Sequence, residues 1–311
     1  MTTRRMKHRK KKKKTGLLIT MSVLLLLAGG GAAYLYSIYN SVKTTVDDDI
    51  HEEVSGIDNE ATKEKVEDEE PINVLLLGVD ERDNDTGRAD TMIVLSLDPA
   101  NDRMQMVSIP RDTRTEIAGE NTTDKINHSY AYGGSDMSVN TVEGFLDIDL
   151  DYYVRMNMDG LSQMVDAVGG IEVTNDQAFS QGGHDFEEGD IELDGEEALA
   201  YVRMRKDDPE GDAGRNDRQR EVIQGTIDQG ANANVANNID DMMEVLGNNA
   251  ATNMKFEDMR NLATNYRSAR EEMETYQMEG EDTYINDIYY LNVPESEVEK
   301  TREKIEEYTT S

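Results

Sequence analysis

Residues 15–42 carry no charged side chain, and their apolar heart runs from 17 to 39. That is longer than the roughly 20 residues needed to cross a bilayer's hydrocarbon, so residues 15–39 are expected to form a transmembrane signal-anchor helix. The preceding basic tail, residues 1–14, holds nine Lys/Arg between positions 4 and 14 and no acid, whereas Asp47, Asp48 and Asp49 follow the apolar run. The positive-inside rule then places the N-terminus in the cytoplasm and everything beyond the span outside, with Tyr34, Tyr36 and Tyr39 at the outer aromatic belt. A cleaved signal peptide is the competing reading, because the small residues at 29–33 would also suit a peptidase. Nucleic-acid binding by the basic block is not needed to explain it, since a topology signal beside a span already does.

The remainder of the 311 residues suffices for one substantial core. Formal net charge is −33, but outside the basic tail only 23 Lys/Arg face 65 Asp/Glu. Such a surface repels nucleic acid and anionic lipid, and its self-repulsion is relieved by salt. This acidity reads as a halophile-like adaptation to a salty exterior, which a stability maximum at low salt would contradict. There is no cysteine, which rules out disulfides, thiolate metal sites and thiol nucleophiles. Of the four histidines, His8 and His51 lie in the tail and the linker, while His128 and His184 have no spacing that suggests a ligand pair.

Residues 40–70 are polar and acidic without evident apolar periodicity, as expected of a solvated extracytoplasmic stalk. The domain then begins at INVLLLGV, residues 72–79, a continuous apolar run of the kind that forms a strand buried on both faces. Strands are also expected at 92–97 and 104–109, joined by the turn-rich 98–102, and at 152–158 and 171–173. Helices are expected at 138–146, 160–168 (closed by Gly169 and Gly170), 196–204 and 216–229. The alternation implies an α/β fold, a central mixed sheet with helices on both faces in an α-β-α sandwich. Residues 71–230 hold the catalytic core on this reading, and 231–311 a mainly helical C-terminal part of the same domain, with helices at 256–268 and 295–308 and a possible strand at 272–278.

Positive charge is spent selectively. Between residues 71 and 220 stand eleven arginines and only Lys125 and Lys206 as lysines. The planar, permanently charged guanidinium binds phosphate oxygens in pairs, so the bias suits a phosphate site, although any single arginine could serve a surface salt bridge. Arg203, Arg205, Arg215 and Arg218, with Gln219 beside them, fall on adjacent turns where their charges would repel unless an anion lay between them. A second constellation spans 78–91: Asp80 ends the buried strand and Asp90 opens the next, so both carboxylates can emerge at one edge of the sheet, where open α/β sheets bind ligands. Two carboxylates with phosphate oxygens and water suit Mg²⁺. Turn and cap chemistry is the plain alternative for both. Asp83, Asp85 and Gly87 imitate a calcium loop, but the glycine falls one place early and the closing glutamate is missing.

Taken together, INVLLLGVD at 72, GRADTMIVLSLDP at 87, VSIPRD at 107, KINHSYAYGG at 125, TVEGFLDIDLDYYVRMNMDG at 141, VDAVGGIEV at 165 and LDGEEALAYVRMRKDDPEGDAGRNDRQR at 193 resemble the LytR-CpsA-Psr family of Gram-positive bacteria. The resemblance implies a membrane-anchored phosphotransferase that attaches an anionic glycopolymer, such as teichoic acid or a capsule-like chain, from polyprenyl pyrophosphate to peptidoglycan. It further implies that Asp80 and Asp90 hold Mg²⁺ (or Mn²⁺), and that Arg88, Arg111, Arg203, Arg205, Arg215, Arg218 and Gln219 surround the pyrophosphate. Asp90, Arg88 and Arg111 would be the catalytic residues, Asp90 being the first candidate for the base, and the isoprenoid tail would lie in an apolar slot between the sheet and its helices. A polyprenyl-pyrophosphate hydrolase would use the same site. An envelope regulator is disfavoured by a cytoplasmic part too short for a DNA-reading module, and a wall-binding module leaves the arginine cluster unexplained.

Overall fold

The computed structural model describes residues 39–81, 86–204, 208, 211–230 and 239–309. The expected membrane segment up to residue 38, and Arg205, lie outside these; no described helix is long and apolar enough to cross a membrane. Residues 39–44 are helical and fall to a separate unit, residues 1–44, while the second unit begins at Thr45.

The second unit is built on a six-stranded mixed sheet. The INVLLLGV run forms β1 (Ile72–Val79), followed by β2 (Ala89–Asp98) and β3 (Arg103–Ser108) in antiparallel succession. Between β3 and the next sheet strand come a hairpin, β4 (Arg114–Ile117) and β5 (Thr122–Lys125), and helix α1 (His128–Leu146). Strand β6 (Tyr152–Asn157) then returns parallel to β1, and its last residue caps α2 (Met158–Val168), the Asn157 side chain accepting from the Gly160 amide at 2.8 Å.

A small sheet follows, β7 (Ile171–Asn175) with β10 (Gly189–Leu193), interrupted by the hairpin β8 (Phe179–Gln181) and β9 (His184–Phe186). Helices α3 (Gly195–Arg203), α4 (Asp212–Gly230) and α5 (Ile239–Asn249) come next. The central sheet is completed by β11 (Ala250–Thr252), antiparallel to β6, and, after α6 (Phe256–Asn265), by β12 (Glu272–Gln277), parallel to β3. The chain closes with the hairpin β13 (Glu281–Ile285) and β14 (Ile288–Asn292) and helix α7 (Glu295–Thr309).

The period of two along the strands sorts the core into layers. Leu75, Leu77, Met92, Val94 and Val107 face Val139, Val142 and Leu146 of α1 and Val298 and Ile305 of α7. Their neighbours Val74, Ile93, Leu95 and Met106 face the opposite way, onto Tyr266, with Ile223 and Ile227 of α4 and Met259 and Leu262 of α6 half-buried beside them. Helices thus cover both faces of a mixed sheet. A third cluster joins α2 and α3 to β7 and β10 through Val165, Val168, Ile171, Leu193 and Tyr201.

Three expectations are corrected. The acidic segment after residue 44 is no solvated stalk: Val46, Ile50, Val54, Ile57 and Val66 are buried, a helix spans Asn59–Glu67, and the Glu52 amide donates to the Thr252 carbonyl at 2.8 Å. Val46 and Ile50, four residues apart, lie on a short helical turn, Thr45–Ile50, and with Val54 beyond it are buried among carboxylates. The C-terminal part holds the helices α5, α6 and α7 but is less purely helical than expected, since β11, β13 and β14 lie within it besides the expected β12. Helix α1 starts at His128 rather than 138 and kinks at Gly133 and Gly134.

Candidate functional site

Strands β1 and β6 run parallel, Val79 pairing with Asn157, so their carboxyl ends open at one edge of the sheet. β2 enters from the same edge with an irregular register: Gly78 pairs with Thr91 but Val79 with Ala89, which leaves Asp90 as the extra residue of a β-bulge. Bulges re-aim side chains next to functional sites, and this one turns Asp90 out of the ladder. The preceding turn depends on Gly87, whose φ of +71° suits glycine and whose absent Cβ would lie 2.5 Å from the Asp80 carbonyl oxygen. Any side chain there would displace the backbone of Asp80.

A cleft of about 790 Å³ occupies this edge, lined by Asp80, Asp90, Asn157, Arg203, Arg215 and Gln219 among others. Arg203 closes the last turn of α3, where a cation complements the helix dipole. Arg215 and Gln219, four residues apart on α4, share one helical face. A second cleft of about 330 Å³ shares Asp80 and Asp90 and adds Arg88, Arg111, Lys125, Asn127 and His128. Arg111 Nη1 bonds Asp90 Oδ1 at 3.0 Å, and Asn127 Nδ2 reaches the same oxygen at 3.4 Å. Lys125 Nζ is 2.6 Å from Asp112 Oδ1.

The structure therefore brings Asp80, Asp90, Arg88, Arg111, Arg203, Arg215 and Gln219 around two adjoining clefts, and Arg205 lies outside the described residues. Arg218 goes elsewhere. Its Nη2 bonds Asp208 Oδ2 at 2.7 Å and the Met204 carbonyl at 2.9 Å, and its guanidinium lies 5.5 Å from the Phe179 ring centre. Arg220 is held by Asp217 and by Ser108 Oγ at 2.7 Å. Repulsion among the α4 arginines is thus relieved in part by acids of the chain, and Arg218 ties the residues following α3 to α4 rather than facing the cleft.

Glu81 also lines the larger cleft, but both its oxygens are occupied, one by the Tyr130 hydroxyl and the other by Arg155 Nη1 at 3.0 Å. Burial, and then this bond to Glu81, raise the Tyr130 pKa, so the phenol stays protonated and donates. Among the described residues no group of three or more Asp, Glu or His could hold a metal. Asp80 and Asp90 line both clefts, and Mg²⁺ is commonly held by one or two carboxylates together with substrate phosphates and water.

An apolar cavity of about 270 Å³ adjoins the larger cleft, sharing Asn157, Met158, Val202 and Gln219 with it. Leu76, Val154, Met156, Leu161, Ile223 and Ile227 line it, between β1 and β6 on one side and α2 and α4 on the other.

Comparison with known proteins adds the following. The model of the LytR_cpsA_psr family matches residues 33–307. The chain is 45% identical over 274 residues, 88% of its length and 89% of the relative's, to the polyisoprenyl-teichoic acid–peptidoglycan teichoic acid transferase TagU of Bacillus subtilis (strain 168). Its fold matches the crystal structure of B. subtilis TagU with a TM-score of 0.64 at 43% identity, covering 78% of this chain and 98% of the other. It also matches TagT bound to LI-WTA, with a TM-score of 0.66 at 30% identity, covering 78% and 92%.

Proposed function

The chain belongs to the LytR_cpsA_psr family, and from that premise we propose that it is an extracytoplasmic phosphotransferase moving an anionic glycopolymer of the teichoic acid type from polyprenyl pyrophosphate onto peptidoglycan. The observation that carries this reading is the adjacency of a cation- and carboxylate-lined cleft to an apolar cavity that shares Asn157, Met158, Val202 and Gln219 with it. That pair of environments fits an amphiphile with a charged head and a hydrocarbon tail. The fit to TagT bound to LI-WTA and the identity to TagU support the same substrate class.

In the proposed mechanism the first isoprene units lie between Leu76, Val154 and Ile223 and fix the depth of the head group. Arg203, Arg215 and Gln219 from one side, and Arg88 and Arg111 from the other, hold the pyrophosphate oxygens. Arg218 ties Met204 and Asp208, after α3, to α4. Asp80 and Asp90 would hold Mg²⁺, which when bound would supply further neutralisation of charge on the phosphates. Fixed cations aimed at oxygens that gain charge in the transition state are worth far more in a partly enclosed site than in water. A sugar hydroxyl of the glycan strand then displaces polyprenyl phosphate. The expected membrane span would keep the cleft near its lipid-borne donor.

The test incubates the full-length chain in detergent with a lipid-pyrophosphate-linked saccharide, Mg²⁺ and peptidoglycan oligomers, with products read by mass spectrometry. A saccharide joined to the glycan by a phosphodiester is the expected product. Saccharide phosphate released at the same rate with and without glycan would instead identify a hydrolase, and an intact donor would overturn the assignment.

A further inference from the structure

Transfer to a hydroxyl requires a group that takes its proton, and Asp90 is poorly placed to be that group. Its Oδ1 already receives Arg111 and Asn127, and a metal ion would claim the carboxylate as well. The smaller cleft offers another candidate. His128, the first residue of α1, lines it together with Asp80 and Asp90. Its Nδ1 lies 2.8 Å from Asp124 Oδ2. An ionised carboxylate only accepts, so Nδ1 carries the hydrogen, and in the neutral ring Nε2 is then the acceptor, on a ring that lines the cleft.

Asp124 is itself held in place. The Tyr132 hydroxyl donates to Oδ2 at 2.7 Å, the Lys125 amide to Oδ1 at 2.8 Å, and the Tyr290 hydroxyl reaches Oδ1 at 3.4 Å. Burial alone would raise its pKa, but the bonds from His128 and Tyr132 outweigh that and hold it below the ordinary carboxylate range. Tyr132 also sets its ring edge-on to the imidazole, with centroids 6.2 Å apart. Three elements, β5, α1 and β14, converge on one carboxylate that fixes one imidazole. A solvated i,i+4 pair on a helix surface has no need of that.

We propose that His128, oriented by Asp124, is the general base of the transfer, and that the acceptor glycan approaches the donor through the smaller cleft. This rests on the transferase reading above. The acceptor O–H proton passes to Nε2 as its oxygen bonds the phosphorus that carries the glycopolymer. The bridging P–O bond breaks, and polyprenyl phosphate leaves with the electron pair. The imidazolium then releases its proton to solvent. The groups nearest the ring are Asp124 and Lys125 from β5, Tyr132 from its own helix, and Tyr290 behind Asp124. The same cleft is lined by Asp80, Arg88 and the bonded pair Asp90 and Arg111, with Asp112 on Lys125.

The experiment compares full-length wild type with His128→Gln and His128→Ala in the transfer assay across pH, with donor affinity and melting temperature measured on the same preparations. Positioned general bases contribute about 10²–10⁴-fold, so His128→Gln is expected to lose kcat by that factor while its KM for the donor and its melting temperature stay close to wild type. The fall in rate on acidification should vanish in both variants, and added imidazole should partly restore His128→Ala. A variant that keeps wild-type kcat, or keeps the acidic limb, overturns the base assignment while wild-type transfer preserves the function. A matching loss of donor binding and stability would make His128 structural and also overturn it. If wild type transfers nothing at any pH, the function falls and the base assignment with it.

Discussion

Asp90→Asn is expected to lower transfer by a factor on the order of 10²–10³, the scale seen when one preorganised electrostatic group is removed from a site, with little change in melting temperature. The bulge places Asp90, together with Asp80, in the wall common to both clefts, so its charge acts on whatever bridges them. Asparagine has the same shape and still offers an oxygen to Arg111, which retains Asp112 at 3.5 Å, so the local fold has no reason to open. What disappears is one of two negative charges available to a divalent cation. The loss should therefore shrink as Mg²⁺ is raised, and Asp80→Asn should behave alike. Because residues that act as a unit are non-additive, the double variant should be little worse than either single one. Initial rates at several Mg²⁺ concentrations check this, and a rate that stays at wild-type level at low Mg²⁺ would remove Asp90 from the site.

The central strands were legible because their signal is strong and local: apolar runs in β1, β2 and β3 leave no competing assignment. The Asp194 capping box that opens α3 is a finding of the structure, but helix α2 was legible through the Gly169 that ends it and α3 through its period alone. Hairpins were not. β8 and β9 are three residues each, and β13 reads EDTYI, too short and polar for alternation to register. The segment after residue 44 misled for the opposite reason, since its acidic residues mask apolar positions four apart that the domain buries.

The candidate site divides the same way. Arginine enrichment singled out the residues that meet at the clefts, because charge chemistry is visible in composition alone. It could not separate Arg215 from Arg218. The two are three residues apart on one helix, and what diverts Arg218 is Asp208 on the preceding segment, a partner that helical spacing does not encode. Nor does comparing histidines with one another reveal His128. Its informative neighbour is Asp124, four residues upstream, and that spacing becomes a hydrogen bond because β5 passes almost directly into α1. The pieces carried by β1, β2 and α3 thus supply residues that line the clefts, whereas of the hairpins only Lys125 at the end of β5 lines one.

The folded unit should be most sensitive at Asp151, far from the charge chemistry. This carboxylate is 4% exposed and joins three parts of the chain. Lys65 of the Asn59–Glu67 helix donates to Oδ1 at 2.8 Å, the Asn73 amide of β1 donates to Oδ2 at 2.8 Å, and the Asp151 carbonyl accepts from Asn253 at 3.2 Å. Asp151→Ala leaves a buried strand amide without its acceptor and a partly buried ammonium without its counter-ion. Breaking buried pairs costs about 3–5 kcal/mol, and because Lys65 can turn toward water, about 2–4 kcal/mol is expected here. For a unit of this size that lowers the melting temperature by roughly 5–12 °C. Asp151→Asn should cost far less, since its amide oxygen can still accept from Lys65 or Asn73. Burial raises the Asp151 pKa despite the bonds from Lys65 and Asn73, so the folded state binds its proton more tightly than the unfolded state. That contribution to stability is complete below the ordinary carboxylate pKa and is lost as pH rises through the raised folded value. Asp151→Asn should abolish this part of the pH dependence. Thermal melts of both variants from acidic to neutral pH decide the matter: equal losses in the two would mean that the charge itself, rather than the hydrogen bonds to Asn73 and Lys65, holds these three segments together.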